Sequence, residues 1–311
     1  MLGSTSGMWK RNYGEVTRAP LDERGGKQTN QTYGHRATSR LYPDTLRRFN
    51  FGLQTIAQNS PTTKFRLTQT LGIMKPHLSV AIPAHNEECY IGRCIDSIHH
   101  SARQASVSVE IVVALNRCSD QTRTVAESLG ARCVVEDSRS IAAVRNAAIR
   151  ATSSPAIATL DADSWMSSRT VATVLDYVQD NRYIGGGTEI WPERFSVGIF
   201  FSLLVVAPYV VKRGVSAGMF WFSREAFDAV GGFNESLVSA EDIDFGRRLK
   251  TFGRAKGQRY GTIRRNGITT SCRKFDRFGD WYLFRNPRLV RAIFTGTDRQ
   301  AADHFYYDAE R

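Results

Sequence analysis

Two carboxylates one residue apart, Asp161 and Asp163, follow directly on the run Pro155–Leu160. The apolar run reads as a buried strand. The acids therefore leave it at the C-terminal edge of a sheet, where open α/β sheets hold their ligands. Oxygen donors at this spacing suit a hard divalent cation, Mg²⁺ or Mn²⁺, and such a cation would in turn hold a diphosphate. Asp-x-Asp also arises in loops and at helix starts with no such task, and its weight here comes from its neighbours. A second acidic pair, Glu241-Asp242, opens a predicted helix behind Gly231-Gly232-Phe233-Asn234-Glu235. Acids there can stabilise a helix dipole, or one of them can strip a proton from a hydroxyl.

The elements that must position these groups are legible in the first half. Leu78–Pro83 predicts a strand, and Asn86 then caps a helix to about Arg103 with Ile91, Ile95 and Ile98 on one face. Val107–Leu115 is the second strand, followed by a helix capped at Ser119 or Asp120 and stopped at Gly130. Ala131–Glu136 is the third strand, Ser140–Ala151 a helix, and Ile157–Leu160 the strand that carries the acidic pair. A helix capped at Ser167 or Ser168 shows Val171, Val174, Leu175 and Val178 on a core-facing stripe. This rhythm predicts an α/β fold with a Rossmann-like, mostly parallel sheet, helices on both faces and right-handed crossovers.

The second half is less regular. Tyr183–Ile190 predicts a strand whose Gly185, Gly186 and Gly187 suggest a close backbone approach. The apolar stretch 197–211, with Pro208 inside it, is too short to span a bilayer and reads either as a core helix or as one lying in a membrane interface. Ala217–Ser223 predicts a further strand, and Glu241–Phe252 a helix ended by Gly253. Asp244 with Arg247 and Arg248 reads as surface pairing. We expect a basic leader over 1–76, a catalytic domain over 77–260 and a basic, aromatic extension over 261–311.

The chain has 311 residues, 42 Lys and Arg against 30 Asp and Glu, and a formal charge of +12. Twelve of the cations and four of the acids lie in residues 1–77, so +8 of the charge sits there. That leader lacks sustained periodicity and is expected to be disordered. Met74 is a candidate natural start. Without interleaved aromatics the leader does not favour nucleic acid, and no nucleic-acid partner is expected. Five cysteines without paired spacing argue against a zinc site and a disulfide framework, and favour a reducing compartment. Cys118 has no His at a telling spacing, and His85 lies in a loop where solvation is the plain expectation.

Four segments end on one predicted sheet edge: Pro83-Ala84-His85-Asn86-Glu87-Glu88, Asn116-Arg117-Cys118-Ser119-Asp120, Ala142-Ala143-Val144-Arg145-Asn146 and Asp161-Ala162-Asp163. In chemical terms, a Pro83-Ala84 turn can floor a base, and Asn86, Glu87 and Asn116 can hydrogen bond its edge or a ribose. Arg145 can meet a phosphate. The order and spacing resemble the family 2 glycosyltransferases over roughly Leu78 to Phe252.

That resemblance implies a GT-A fold with an acceptor-binding second half, a nucleotide-sugar donor (UDP-sugar favoured, although Asn116 stands where most relatives have Asp) and inversion. It implies donor contacts from Pro83, Ala84, Asn86, Glu87, Asn116, Arg145, Asn146 and Asp161. Asp163 would ligate a Mg²⁺ or Mn²⁺ ion directly, with Asp161 beside the ribose or reaching the metal through water. Asp242 matches the base, and Gly232, Phe233, Glu241 and Trp221 fall on the acceptor side. Arg273, in Ser271-Cys272-Arg273, would meet the diphosphate. The acceptor would be a sugar or a lipid-linked sugar, in polysaccharide, glycolipid or cell-envelope glycan synthesis. The enzyme is expected in the cytoplasm, with peripheral contact at the inner face of the membrane. A non-catalytic nucleotide-sugar-binding relative is the competing expectation. A nucleotidyltransferase is disfavoured by the missing glycine-rich phosphate loop.

Overall fold

The computed structural model describes residues 75–295 except 217, 238 and 239. The expectations for the leader and for Met74 lie outside them. The first half alternates as its periodicity demands: β1 (Leu78–Ala84), α1 (Ile91–Ala105), β2 (Val109–Leu115), α2 (Thr122–Ser128), β3 (Arg132–Val135), α3 (Ile141–Arg150) and β4 (Ala156–Thr159). These four strands are parallel and lie in the order β3-β2-β1-β4. Alternation along β1 divides the core. Leu78, Val80 and Ile82 face Ile91, Ile95 and Ile98 of α1, whereas Ala81 joins Val144 and Ile149 of α3 on the other face.

The sheet continues beyond β4 with mixed direction. It takes in β5 (Ser164–Met166), β6 (Tyr183–Pro192), β7 (Phe220–Ser223) and β8 (Arg259–Thr270), giving the order β3-β2-β1-β4-β7-β6-β8-β5. β7 is antiparallel to both β4 and β6, β6 is parallel to β8, and β5 is antiparallel to β8. The helices of this half are α4 (Thr170–Gln179), α5 (Val197–Arg213), α6 (Arg224–Val230), α7 (Glu241–Ala255), α8 (Arg273–Phe278), α9 (Tyr282–Arg285) and α10 (Pro287–Thr295).

Several local expectations are corrected. α1 begins at Ile91, five residues after Asn86, because Asn86 has φ 52° and its side-chain oxygen accepts from Ser119 N at 2.8 Å. Gly253 does not stop α7. It lies inside the helix, where a Cβ would strike Ile184, so its smallness serves packing. Strands β5 and β8 are not visible in the periodicity: β5 has three residues, and β8 mixes arginines with apolar residues across register shifts. β8 also runs across position 260, so the sheet continues past the expected end of the catalytic domain. The glycine run does mark a close approach. A Cβ on Gly186 would collide with Gly261 O and with the ring of Trp221, which fills that space.

Candidate active site

The C-terminal ends of β1, β2 and β4 converge as the parallel topology requires. β4 hands the chain to Asp161 and Asp163 through a tight turn in which Ser164 N donates to Asp161 O at 3.0 Å. The Asp161 side chain is 47% exposed and that of Asp163 15%. The chain leaving β8 straps over this turn: Ser271 N donates to Asp163 O at 2.9 Å, and Ser271 Oγ to Asp163 Oδ2 at 3.1 Å.

Two arginines gather the acids. Arg145, on α3, donates from Nη2 to Asp161 Oδ1 at 3.0 Å and from Nη1 to Glu241 Oε1. Burial works against its charge, but Asp161 and Glu241 outweigh burial and hold its pKa above the usual value. Arg273, at the start of α8, makes a two-pronged pair with Glu87, at 2.7 and 3.0 Å, and reaches Asp163 Oδ2 at 2.9 Å. Its guanidinium also lies 5.2 Å from the ring centre of Tyr90.

Asp242 stands beside Glu241 in the first turn of α7. Its Oδ1 accepts from Ile243 N at 2.7 Å. Burial, and next the charge of Glu241, push its pKa up to about 7, although Arg145 pulls the other way. A carboxyl poised there can take a proton near neutral pH. Backbone strain collects around the same site. Of the five described non-glycine residues at positive φ, Asn86, Arg117 and Ala240 border it.

Other expected contacts have different tasks. Asn146 is buried and clamps the glycine loop: Nδ2 donates to Phe233 O and Glu235 Oε1, both at 2.8 Å, and Oδ1 accepts from Phe233 N at 2.8 Å. With both ends engaged, it positions the loop and does not face a donor. Trp221 is fully buried, its Nε1 donating to Gly187 O at 3.2 Å, so it cannot line an acceptor site. Phe233 is equally buried, its ring stacked on Phe245 at 4.2 Å. Gly232, at φ 71°, leaves room for Asn146. Glu241 is committed to Arg145. Pro83 and Ala84 are buried within β1 and supply sheet, not an open platform. Asn116 donates both amide hydrogens inward, to Glu136 O at 2.5 Å and Ser138 O at 2.9 Å, while Arg117 caps its oxygen. Asn116 thus fixes the loop after β3. Glu87 is buried against Arg273 and not open to a ribose.

Residues 79–231 match the family model described as glycosyl transferase family 2. Residues 79–231 form a glycosyltransferase family 2 domain. The chain is 28% identical over 206 residues to the glycosyltransferase AglE of Haloferax volcanii, covering 60% of this chain and 64% of that one. It is 25% identical over 202 residues to a chondroitin synthase of Pasteurella multocida, covering 58% of this chain and 20% of that one. The chain therefore spans less than two thirds of these relatives' length. Among solved structures it is similar to a mannosyltransferase of Pyrobaculum calidifontis (TM-score 0.51, 18% identity, 78% of this chain and 76% of that chain). It is also similar to S. aureus TarS 1-349 (TM-score 0.50, 16% identity, 75% and 69%). The fold is GT-A, as the resemblance implied.

The residues at the end of β4 fit a divalent cation in one specific sense. Among the described residues no group of three or more His, Cys, Asp or Glu is arranged as a closed metal cage. Two carboxylates on one turn, one of them half exposed, match instead the habit of Mg²⁺ and Mn²⁺, which take one or two protein oxygens and complete their shell with water and phosphate. Sequence reasoning missed Ser271 as a clamp on Asp163, Tyr90 beneath Arg273, and the pairing of Arg273 with Glu87. The Ser271-Cys272-Arg273 triplet was visible, but nothing local told that β8 would carry it back to the acids.

Proposed function

We propose that this glycosyltransferase moves a sugar from a UDP-sugar to an acceptor hydroxyl in one inverting displacement, with Asp242 as the general base. The observation that supports it best is the bridge of Arg145 from Asp161 to Glu241, which sets Asp242 beside the acids of β4. In the reaction the acceptor oxygen attacks the anomeric carbon and its proton passes to Asp242. The bond to the diphosphate breaks on the opposite face. A divalent cation held by Asp163, with Asp161 near it, would supply charge neutralisation of the leaving diphosphate. Arg273 and Arg145, which meet the site acids directly, are cations that can face a phosphate, and Arg273 does so by leaving Glu87 or sharing it. Asn86 and the loop held by Asn116 border the seat of the base.

S. aureus TarS 1-349 has been crystallised with UDP-GlcNAc, and the Pyrobaculum mannosyltransferase with GDP-Man and Mn²⁺. Both agree with a nucleotide-sugar donor, and the first with uridine. The reading extends to polysaccharide, glycolipid or cell-envelope glycan synthesis on a sugar or lipid-linked sugar acceptor, and the chondroitin synthases among the relatives support the first of these. Among the described residues no helix is long and apolar enough to cross a membrane. We place the enzyme in the cytoplasm with peripheral contact at the membrane's inner face. A screen of UDP- and GDP-sugars, reading released nucleotide with Mn²⁺ or chelator, tests the reading. Release from no donor under any metal condition refutes it.

A further inference from the structure

The sequence left α5 open between a core helix and an interfacial one. The structure buries Gly198, Ile199 and Ser202 and leaves Val197, Phe200, Leu203 and Leu204 exposed, Phe200 by 59%. The exposed side is not a frayed end. Ser202 Oγ donates to Asp280 O at 2.7 Å and accepts from Phe284 N at 3.3 Å, which locks α5 to α9. A Cβ on Gly198 would press on Asp280 and Trp281. Phe201 stacks on Trp281 at 5.7 Å and meets Phe200 and Phe284 at 5.6 Å each, so the aromatics are continuous. The end of β6 adds Trp191, and the turn beyond it Phe195, their rings 6.2 Å apart and more than half exposed. An exposed apolar surface of this kind marks a binding face.

Three observations choose its occupant. First, α5 has 17 residues, about 25 Å of helix, shorter than the ~30 Å of a hydrocarbon core, so it can lie in a bilayer but not span one. Second, the rim is basic. Residues 274–295 carry five Lys and Arg against Asp276 and Asp280, and Arg194 pairs with both acids at 2.6 and 2.8 Å. Glu193, beside Trp191, is paired with Arg93 at 2.5 Å. Arg285, Arg288 and Arg291 are exposed along α9 and α10. Tryptophans on an apolar face ringed by arginines match the boundary of an anionic bilayer. Third, the face adjoins the reaction centre. Pro192 pairs with Thr270, and Thr270 with Ser164, the residue after Asp163. Two strand spacings amount to about 10 Å.

We infer that α5, the end of β6 and α9 form a docking face for an anionic lipid bilayer, which presents a lipid-linked acceptor to the site. The choice of acceptor rests on the transferase reading above, whereas the docking does not. The test uses the full chain, floated with vesicles of neutral phosphatidylcholine or with 30% phosphatidylglycerol, at low and high salt. The substitutions Trp191→Ser, Phe200→Ser and Leu204→Ser are combined in one variant, on side chains that are already exposed. Wild type should float with anionic vesicles, and the triple variant should lose at least tenfold in partition at equal salt. Brominated acyl chains should quench wild-type tryptophan fluorescence, and quench less in Trp191→Phe.

Failure of wild type to float overturns the proposal. So does a triple variant that floats like wild type, since charge alone would then suffice. Self-association that vanishes in the triple variant, without vesicle binding, assigns the face to a second copy and overturns it too. Donor turnover measured in the same samples separates the two readings. Turnover without flotation sinks the docking face alone, and flotation without turnover sinks the transferase reading alone.

Discussion

Replacing Asp242 by Asn should make the protein more stable and nearly inactive at once. Burial and the Glu241 carboxylate raise the Asp242 pKa from 3.8 to about 7. Each unit is worth about 1.4 kcal/mol, so holding Asp242 ionised above pH 7 costs the fold up to about 4 kcal/mol. Its partial exposure brings the expected figure to about 2–4 kcal/mol. For a carboxyl whose folded pKa is raised, the folded state binds more protons than the unfolded one. The associated stability is therefore full below pH 4 and is lost as pH rises through 7. Asn does not ionise, and its Oδ1 can still accept from Ile243 N. Urea unfolding at pH 8 should show the variant more stable by about 2–4 kcal/mol, with the gap closing toward pH 4. Transfer should fall by about 10² or more. In wild type, kcat/KM should climb with pH through an apparent pKa near 7. A variant no more stable than wild type at pH 8 would refute the buried-charge argument. One that keeps its turnover would move the base elsewhere, with Glu241 the first residue to examine.

Asp163→Ala should abolish metal-dependent transfer and leave the unfolding midpoint within about 1 kcal/mol of wild type, because it removes charge and little volume. Calorimetry with UDP should show Mn²⁺ strengthening binding in wild type but not in this variant, and equal affinity in chelator and Mn²⁺ for wild type would contradict it. Arg145→Leu leaves Glu241 buried without its partner and should destabilise the fold by about 3–5 kcal/mol; in any active fraction, the rising limb of the pH profile should move to higher pH, since Arg145 lowers the Asp242 pKa. Gly186→Ala should destabilise by about 2 kcal/mol or more by forcing Trp221 and the β8 backbone apart, and a midpoint like that of wild type would show the sheet can yield there.

The legible part of this protein is the part built from local repetition. Ile91, Ile95 and Ile98, and Val171, Val174 and Leu175, announce helices by spacing alone, and those helices fix where β1 and β4 must end. The acids of β4 were readable for the same reason, because a strand exit is a position as well as a composition. What stayed hidden depends on contacts between distant segments. Asn146 reads like a donor ligand by its place in the motif, yet it holds Phe233, 87 residues on. Trp221 falls on the acceptor side by the resemblance, yet two glycines 75 residues apart, Gly186 and Gly261, open the space that buries it. Arg273 reaches Glu87 over a separation of 186 residues, and no window of sequence carries that distance. The amphipathic choice for α5 was undecidable for a related reason. Apolar residues around a helix say that it avoids water, and only its packing against α9 says which side is left to do so.

The charge balance of the site explains why its parts belong together. Glu87, Asp161, Asp163, Glu241 and Asp242 bring five carboxylates to a space served directly by two guanidiniums, Arg145 and Arg273. With Asp242 ionised the surplus is three negative charges, and with Asp242 protonated it is two. Part of the strain of that surplus is relieved by a proton, which is why the carboxyl nearest Glu241 and farthest from a direct arginine partner titrates near neutrality. A diphosphate arriving alone would add further negative charge to the same space, so its binding calls for a cation to come with it. The carboxylate available to receive that cation is the half-exposed Asp161 together with Asp163 on the same turn. Arg145 connects the two halves of this economy of charge: it offsets Asp161 at the end of β4 and Glu241 at the start of α7. A change in charge at one acidic cluster is therefore felt at the other, and the proton affinity of Asp242 is set in part by what occupies the site of Asp161.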